Sequence, residues 1–136
     1  MKKSYLLDTH IILWILTQNN RLNIDIKGLL ENVEIPVHFS QISLYEIAIK
    51  QKIGKLSEAP QSIGEIHVQL IKDGYNFLPI HNAHIESYTH IDLQDTHRDP
   101  FDRLLLATAY HEKMTFITAD SKFGFYTHQV EILFCN

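Results

Sequence analysis

Cysteine is almost absent from this sequence, and long apolar runs are missing. The single Cys135 cannot form a disulfide within the chain, so a reducing compartment such as the cytoplasm fits the composition. No apolar run approaches the length of a membrane span. The apolar run near the N-terminus is interrupted by Asp8 and His10, and no small-residue cleavage site follows it. We therefore expect no signal peptide and no membrane partner.

An excess of positive charge is also lacking, since the formal net charge is −4. On totals alone this does not suggest a nucleic-acid-binding protein, but clustered acids can lower the net charge while local lysines still hold phosphates. Of the 136 residues, 45% are hydrophobic and 21% are charged, which is typical of a folded domain. Because repeats, low-complexity tracts and linkers are absent, residues 1–136 are expected to form a single domain.

Short apolar segments alternate with longer ones along the whole chain. The short segments predict strands over residues 4–7, 36–40, 76–80, 115–118 and 130–134. The longer segments predict helices over residues 9–16, 24–32, 43–52, 61–72, 82–91 and 100–113. Strands that alternate with helices form βαβ units, in which the strands are parallel and the helices cover both faces of the sheet. The predicted fold class is therefore α/β.

The stretch 97–109 combines two acids with the most apolar helix of the chain. Pro100 suits the first helical position, where its missing N–H leaves no backbone bond unmade. Asp99 is a good N-cap for this helix, and Asp102 falls at its third position. Because residues 104–109 are apolar nearly all round, the helix is expected to be central, with its acidic end at the edge of the core.

Four acids are predicted to meet at one edge of the sheet. Asp8 follows the first strand and Asp120 the fourth, while Glu46 and Asp102 fall in the first turns of two helices. Sites in parallel sheets form at the carboxyl ends of the strands. Each acid alone is better explained as structural: Glu46 forms a capping box with Ser43, and the others cap or start helices. As a group, the four acids are better explained as catalytic than as structural.

Converging carboxylates need a partner of opposite charge. They repel one another, and at least one would be driven to bind a proton unless a cation is present. Mg²⁺ and Mn²⁺ prefer carboxylate oxygen and water as ligands, and no cysteine cluster supports a structural zinc site. His81 and His84 lie one helical turn apart, but without a third ligand we expect surface helix residues. His10 and His97 flank acids and could orient them, although ordinary hydrogen bonds are the simpler interpretation.

Four blocks of the sequence resemble a known family. They are DTHIILW at residues 8–14, SLYEIAIK at 43–50 with GKL at 54–56, HRDPFDRLLLATA at 97–109, and FITAD at 116–120. In this order they resemble PIN-domain proteins of the VapC toxin type over nearly the whole chain, least over residues 61–91. The resemblance implies a three-layer α/β/α sandwich with a central, mostly parallel sheet of about five strands.

The resemblance also implies an activity and partners. VapC-type proteins are Mg²⁺-dependent ribonucleases, with Mn²⁺ as a possible substitute, and are usually the toxin of a type II toxin–antitoxin pair. An RNA substrate, a cognate antitoxin protein and a homodimer are therefore implied. Carried over residue by residue, the catalytic residues and metal ligands are Asp8, Glu46, Asp102 and Asp120. Either Glu46 or Asp120 is expected to accept the proton, and the sequence does not choose between them.

Residues beside these acids have two interpretations each. The hydroxyl residues Thr9, Ser43 and Thr118 could position the acids or a water, or serve only as caps. Asp99 belongs to the Asp-Pro-Phe-Asp variant of the motif and is expected to support Asp102 from outside the metal shell.

Basic and apolar residues near the acids suggest contacts with RNA and with an antitoxin. Three lysines that follow Glu46 could hold RNA phosphates, or they could lie on a solvated helix face on which Lys50 pairs with Glu46. Arg103 could contact phosphate or neutralise the site. Lys50 and Lys52 lie on the predicted helix 43–52, and Lys55 follows it. Candidates for an apolar antitoxin surface, for most of which core packing is the default, are Ile11, Trp14, Ile15 and Tyr45.

Other acid-bearing α/β domains fit the sequence less well. A phosphoacceptor receiver domain needs an acid at the end of the third strand, and residues 78–81 contain none. A haloacid-dehalogenase-like phosphatase needs Asp-x-Asp after the first strand, whereas Asp8 is followed by Thr9 and His10. The remaining alternative binds RNA or a partner without cutting, and the complete set of four acids favours an enzyme over it.

Overall fold

The fold is that of a computed structural model, which describes residues 3–17, 19–56 and 61–135. Its strands are β1 (Tyr5–Leu7), β2 (Val37–Ser40), β3 (Asn76–Leu78), β4 (Thr115–Thr118) and β5 (Ile132–Phe134). They form one sheet in the order β3-β2-β1-β4-β5, and each neighbouring pair is parallel. The predicted α/β class with a parallel sheet is confirmed.

Helices connect successive strands on both sides of the sheet. They are α1 (Thr9–Thr17), α2 (Ile24–Glu31), α3 (Gln41–Lys52), α4 (Ile63–Lys72), α5 (Asn82–Ser87) and α6 (Pro100–Glu112). Short 3₁₀ turns occupy Asn19–Arg21, Tyr88–His90 and Ser121–Tyr126. In the described ranges no helix has both the length and the apolar character that crossing a membrane requires.

The two faces of the sheet carry separate apolar layers, because successive strand residues point to opposite sides. Leu7 of β1 and Ile117 of β4 pack into a core with α1, α2, α3 and α4. Their neighbours Leu6 and Phe116 pack into the other core, which includes Leu105 and the rest of the apolar stretch of α6. The result is the three-layer α/β/α sandwich that the family resemblance implied.

The ends of several elements differ from the predicted ones for local reasons. Helix α4 begins at Ile63 rather than at residue 61, because Ser62 and Glu65 form a capping box. Strand β3 ends at Leu78, since the following Pro79 has no N–H to donate to the ladder. Helix α5 ends at Ser87 and continues only as a 3₁₀ turn, and β5 begins at Ile132 rather than at residue 130.

Candidate functional site

Asp8 stands at the carboxyl end of β1, where the buried strand leads into α1. It is only 4% exposed. The backbone N–H of Thr9 donates to Asp8 Oδ1 over 2.8 Å, and the Thr118 hydroxyl donates to Oδ2 over 2.7 Å. Burial, followed by the charges of Asp102 and Glu46, raises the pKa of Asp8 to about 7, although both hydrogen bonds act in the opposite direction. Without a cation, this carboxyl group therefore holds a proton at slightly acidic pH.

Glu46 lies in the second turn of α3, not in the first. The N-cap of this helix is Ser40, whose hydroxyl accepts the N–H of Ile42 over 3.0 Å. The predicted capping box between Ser43 and Glu46 is therefore wrong, because the helix has already begun at residue 41. The predicted pair with Lys50 is present, with 3.5 Å between Lys50 Nζ and Glu46 Oε2. Glu46 is thus free of a capping role.

The hydroxyls of Thr9 and Ser43 join α1 to α3 beside Glu46. Thr9 Oγ1 lies 2.9 Å from Ser43 Oγ and 2.7 Å from Glu46 Oε1. Because a hydroxyl has a single proton, Thr9 donates to the carboxylate and accepts from Ser43. Both residues are buried, so this chain of hydrogen bonds fixes one oxygen of Glu46.

Asp120 follows β4 and begins the turn Ser121–Tyr126. Its Oδ1 accepts the backbone N–H of Lys122 over 2.9 Å, which is the helix cap that the sequence suggested. Its own N–H donates to Thr118 Oγ1 over 3.1 Å. Since the same hydroxyl donates to Asp8, Thr118 ties together the two acids that follow the neighbouring strands β1 and β4.

Asp102 lies in the first turn of α6, as predicted. Asp99 is the N-cap, and its Oδ1 accepts the N–H groups of Phe101 and Asp102 over 2.8 and 3.3 Å. Asp102 Oδ2 lies 2.8 Å from Nε2 of His97. Burial, followed by the charges of the neighbouring carboxylates, raises the pKa of Asp102 to about 7. Two of the four acids therefore have a pKa well above the usual range.

All four predicted acids line one open cavity of about 360 Å³. Asp8 is the most buried of them. Two groups of three side chains around this cavity have metal-ligand spacing. Within each group the ligand atoms all lie within 4.8 Å of one another, which is close enough to hold a metal ion. The groups are His97, Asp102 and Asp120, and Glu46, Asp99 and Asp102. Asp102 belongs to both groups, and the donors are mostly carboxylate oxygens of the kind that Mg²⁺ and Mn²⁺ prefer.

The basic residues around the cavity differ from those predicted. Lys50 lines it, but Lys52 and Lys55 are exposed and stand outside its lining. Arg98 and Lys122, which the sequence did not single out, line the cavity as well. Both lie within two residues of a predicted acid, and that closeness was the available signal.

Arg103 does not face the cavity. It is 6% exposed, and its Nη2 donates to the backbone carbonyl of His97 over 2.7 Å. Its guanidinium also lies over the ring of Tyr88, 5.9 Å from the centroid. The prediction that Arg103 contacts RNA phosphate is therefore wrong, because its charge is buried and bound to the loop that precedes α6.

His84 also departs from its predicted place on the surface. It is fully buried, and its Nδ1 accepts the N–H of His81 over 3.1 Å. Its Nε2 lies 2.6 Å from Oε2 of Glu112, at the opposite end of α6 from Asp102. Among the described residues, no group with metal-ligand spacing includes His84. Its role is to join α5 to α6.

The sequence matches the pattern of one known protein family over most of its length. The sequence pattern of the PIN domain matches residues 5–126. The chain belongs to the PIN domain family. Sequence comparison with curated proteins finds no match.

Solved structures with this PIN fold include several toxin–antitoxin complexes. A chain of the DNA-bound VapBC from Salmonella typhimurium has a TM-score of 0.70 and 18% identity, covering 98% of each chain. A chain of VapBC2 from Rickettsia felis, bound to a DNA fragment from its promoter, has a TM-score of 0.67 and 15% identity, covering 97% of this chain and 98% of that one. A chain of FitAcB from Neisseria gonorrhoeae has a TM-score of 0.66 and 21% identity, covering 95% of this chain and 96% of that one. At these identities the likeness shows the shared fold.

Proposed function

We propose that this PIN domain is a metal-dependent endoribonuclease that hydrolyses RNA phosphodiester bonds and is the toxin of a toxin–antitoxin pair. The observation that carries the proposal is the convergence of Asp8, Glu46, Asp102 and Asp120 on one cavity. They come from four separate parts of the chain, and the caps and turns around them do not require such convergence. In this proposal residues 1–136 form one domain, which acts in the cytoplasm.

The side chains of the cavity fit a hard divalent cation. Asp8 is buried and Asp102 is partly buried, and both lie close to other carboxylates, which raises the pKa of each to about 7. A cation with two charges would stabilise their ionised forms and displace their protons. Because most donors are carboxylate oxygens, Mg²⁺ is the proposed cofactor, and Mn²⁺ is a possible substitute.

Each acid has a proposed part in the reaction. Asp8, Asp102 and Asp120 would hold the ion, and Glu46 would complete its shell directly or through a water. When bound, the ion lowers the pKa of a water and neutralises charge on the scissile phosphate. Glu46 or Asp120 would accept the proton of the attacking water. Thr9 donates to Glu46 Oε1, and Lys50 Nζ lies 3.5 Å from Oε2, so both oxygens of this carboxylate have a partner that orients it.

The ends of the RNA products test this function. Purified protein, stripped with EDTA, is incubated with end-labelled RNA before and after Mg²⁺ or Mn²⁺ is added. We expect cleavage only with the metal, and fragments with 5′-phosphate and 3′-hydroxyl ends, because water attacks and the 3′ oxygen leaves. Cleavage that persists in EDTA and gives cyclic phosphates would contradict the proposal, and so would intact RNA in every condition.

Lys122 is the proposed phosphate contact that can be tested without disturbing an acid. It lines the cavity and its side chain is exposed, whereas Lys52 is exposed outside the cavity. Lys122→Ala should weaken RNA binding and reduce the slope of log affinity against log salt by about 0.7, the value for one contact with a single strand. Lys52→Ala should leave the slope unchanged. Fluorescence anisotropy with labelled RNA in Ca²⁺ would measure both, and equal slopes for Lys122→Ala and wild type would exclude the contact.

An antitoxin partner and a homodimer belong to the same proposal. Solved structures with the same fold include chains of toxin–antitoxin systems. Of the predicted apolar contacts, Ile11 is fully buried and belongs to the core, whereas Tyr45 is 60% exposed. Light scattering should give twice the 15.8 kDa of the chain for the protein alone. A small upstream reading frame that encodes a DNA-binding protein would support the toxin role.

A further inference from the structure

His97 is buried beside the proposed metal site and contacts one of its acids. It is 5% exposed, and its Nε2 lies 2.8 Å from Oδ2 of Asp102. The rings of Phe123 and Tyr126 pack against the imidazole, with centroid distances of 4.9 and 5.4 Å. Both rings come from the turn that Asp120 begins, so the imidazole is held between this turn and α6.

The proton of the neutral imidazole has one favourable position. Nδ1 is buried and has no hydrogen-bond partner in the described part of the chain. A proton on Nδ1 would leave a buried N–H unsatisfied, whereas a proton on Nε2 is donated to Asp102. His97 is therefore a hydrogen-bond donor to Asp102.

The backbone at His97 is fixed as firmly as the ring. Arg103 Nη2 donates to the His97 carbonyl over 2.7 Å, and the Tyr126 hydroxyl donates to the same oxygen over 3.4 Å. The guanidinium is itself held by Tyr88, whose hydroxyl lies 3.4 Å from Arg103 Nη1. A buried charge bonded to one carbonyl thus sets the position of the residue that contacts Asp102.

We propose that His97 is a positioning residue, which orients Asp102 for metal binding by donating its Nε2–H to Oδ2 and leaving Oδ1 for the ion. This inference rests on the proposed metal-dependent function. Asp102 is the acid common to both groups with metal-ligand spacing, so its orientation affects both. Arg103 affects Asp102 only indirectly, because it binds the backbone carbonyl of His97. Hydrogen bonds to metal-binding carboxylates typically contribute 10- to 100-fold to metal affinity or activity.

Binding of Mn²⁺ in the absence of RNA tests the inference. His97→Leu removes the donor but keeps an apolar side chain between the two rings, and His97→Gln restores an amide N–H. The matched control is His84→Leu, which removes another buried histidine with a carboxylate partner, at the far end of α6. Electron paramagnetic resonance of free Mn²⁺ gives each Kd, and competition with Mg²⁺ gives its affinity.

We expect His97→Leu to raise the Kd for Mn²⁺ about 10- to 100-fold and that for Mg²⁺ by a similar factor. His97→Gln should recover most of the loss, and His84→Leu should bind Mn²⁺ like the wild type. Equal Mn²⁺ affinities for His97→Leu and the wild type would overturn this inference but leave the proposed function standing. A loss much larger for Mn²⁺ than for Mg²⁺ would also overturn it, because a direct imidazole ligand favours the transition metal. A wild-type protein that binds no Mn²⁺ would overturn the proposed function as well.

A measurement on the wild type does not depend on whether the variants fold. Long-range ¹H–¹⁵N spectra report which nitrogen of each histidine carries the proton. We expect the metal-free protein at pH 7.5 to show His97 as the neutral tautomer with its proton on Nε2. A proton on Nδ1 would overturn the inference, because His97 could not then donate to Asp102.

Discussion

Asp102→Asn should make the metal-free protein about 3 kcal/mol more stable at pH 8. A pKa raised by about three units corresponds to roughly 4 kcal/mol, and solvent screening at this partly exposed carboxyl group reduces the effect. In the folded protein the pKa of Asp102 is about 7. Its ionised form is therefore disfavoured by burial and by the neighbouring carboxylates. Asn carries no charge, and its amide oxygen can still accept the N–H of His97. Urea unfolding in EDTA would measure the difference.

The gain should depend on pH in a defined direction. Between the unfolded pKa of about 4 and the folded pKa of about 7, the folded wild type binds a proton that the unfolded chain has lost. Its free energy of unfolding therefore falls as the pH rises through this window, and the contribution of Asp102 to that fall is absent from Asp102→Asn. The two proteins should be close at pH 4 and furthest apart at pH 8.

A surface acid provides the control for this stability effect. Asp95 is exposed and stands outside the cavity lining, so Asp95→Asn makes the same change of charge away from the site. It should change the free energy of unfolding by less than about 0.5 kcal/mol at either pH. An Asp102→Asn variant less stable than the wild type at pH 8 would contradict the raised pKa of Asp102.

Mg²⁺ or Mn²⁺ should raise the melting temperature by about 10 °C at pH 8 and by much less at pH 5. A ligand at 100 times its Kd stabilises the folded state by about 2.7 kcal/mol, and each kcal/mol shifts the melting temperature of a domain of this size by roughly 4 °C. At pH 5 protons compete for Asp8 and Asp102, whose pKa values are about 7, so the metal binds more weakly. Differential scanning fluorimetry after EDTA treatment would measure both shifts.

Two controls separate metal binding from general screening of charge. KCl at the same ionic strength should leave the melting temperature nearly unchanged at both pH values, because it screens surface charges but does not occupy the site. Asp102→Asn should lose most of the shift with the divalent ion. Equal shifts at pH 5 and pH 8 would show that the metal does not compete with protons on these acids.

The fold could be predicted because each of its signals is local. Strands β1 and β4 are short, apolar and followed by an acid, and the segments between strands have helix starts and stops. Alternation of such elements leaves few arrangements other than a parallel sheet with helices on both faces. The four acids were placed at one edge by the same reasoning, since the carboxyl ends of parallel strands share an edge.

The features that the sequence did not reveal depend on contacts between distant residues or on a choice between equal local signals. Ser40 and Ser43 are both good helix caps, and only the end of β2 selects Ser40. Arg103 follows a predicted metal ligand, so its proximity suggested a phosphate contact. A helix turns about 100° per residue, however, and the next position faces the loop at His97 instead of the cavity. The burial of His84 likewise depends on Glu112, which lies on another helix.

The rate of Mn²⁺-dependent RNA cleavage by variants of the acids is the most direct test of the site. The four changes are Asp8→Asn, Glu46→Gln, Asp102→Asn and Asp120→Asn. Each should reduce the rate by more than about 100-fold, beyond the loss of a group that only orients a ligand. Asp95→Asn and Glu112→Gln, which change acids outside the cavity, should cleave like the wild type. Full cleavage by pure, folded Asp8→Asn or Asp102→Asn would show that the reaction does not take place at this site.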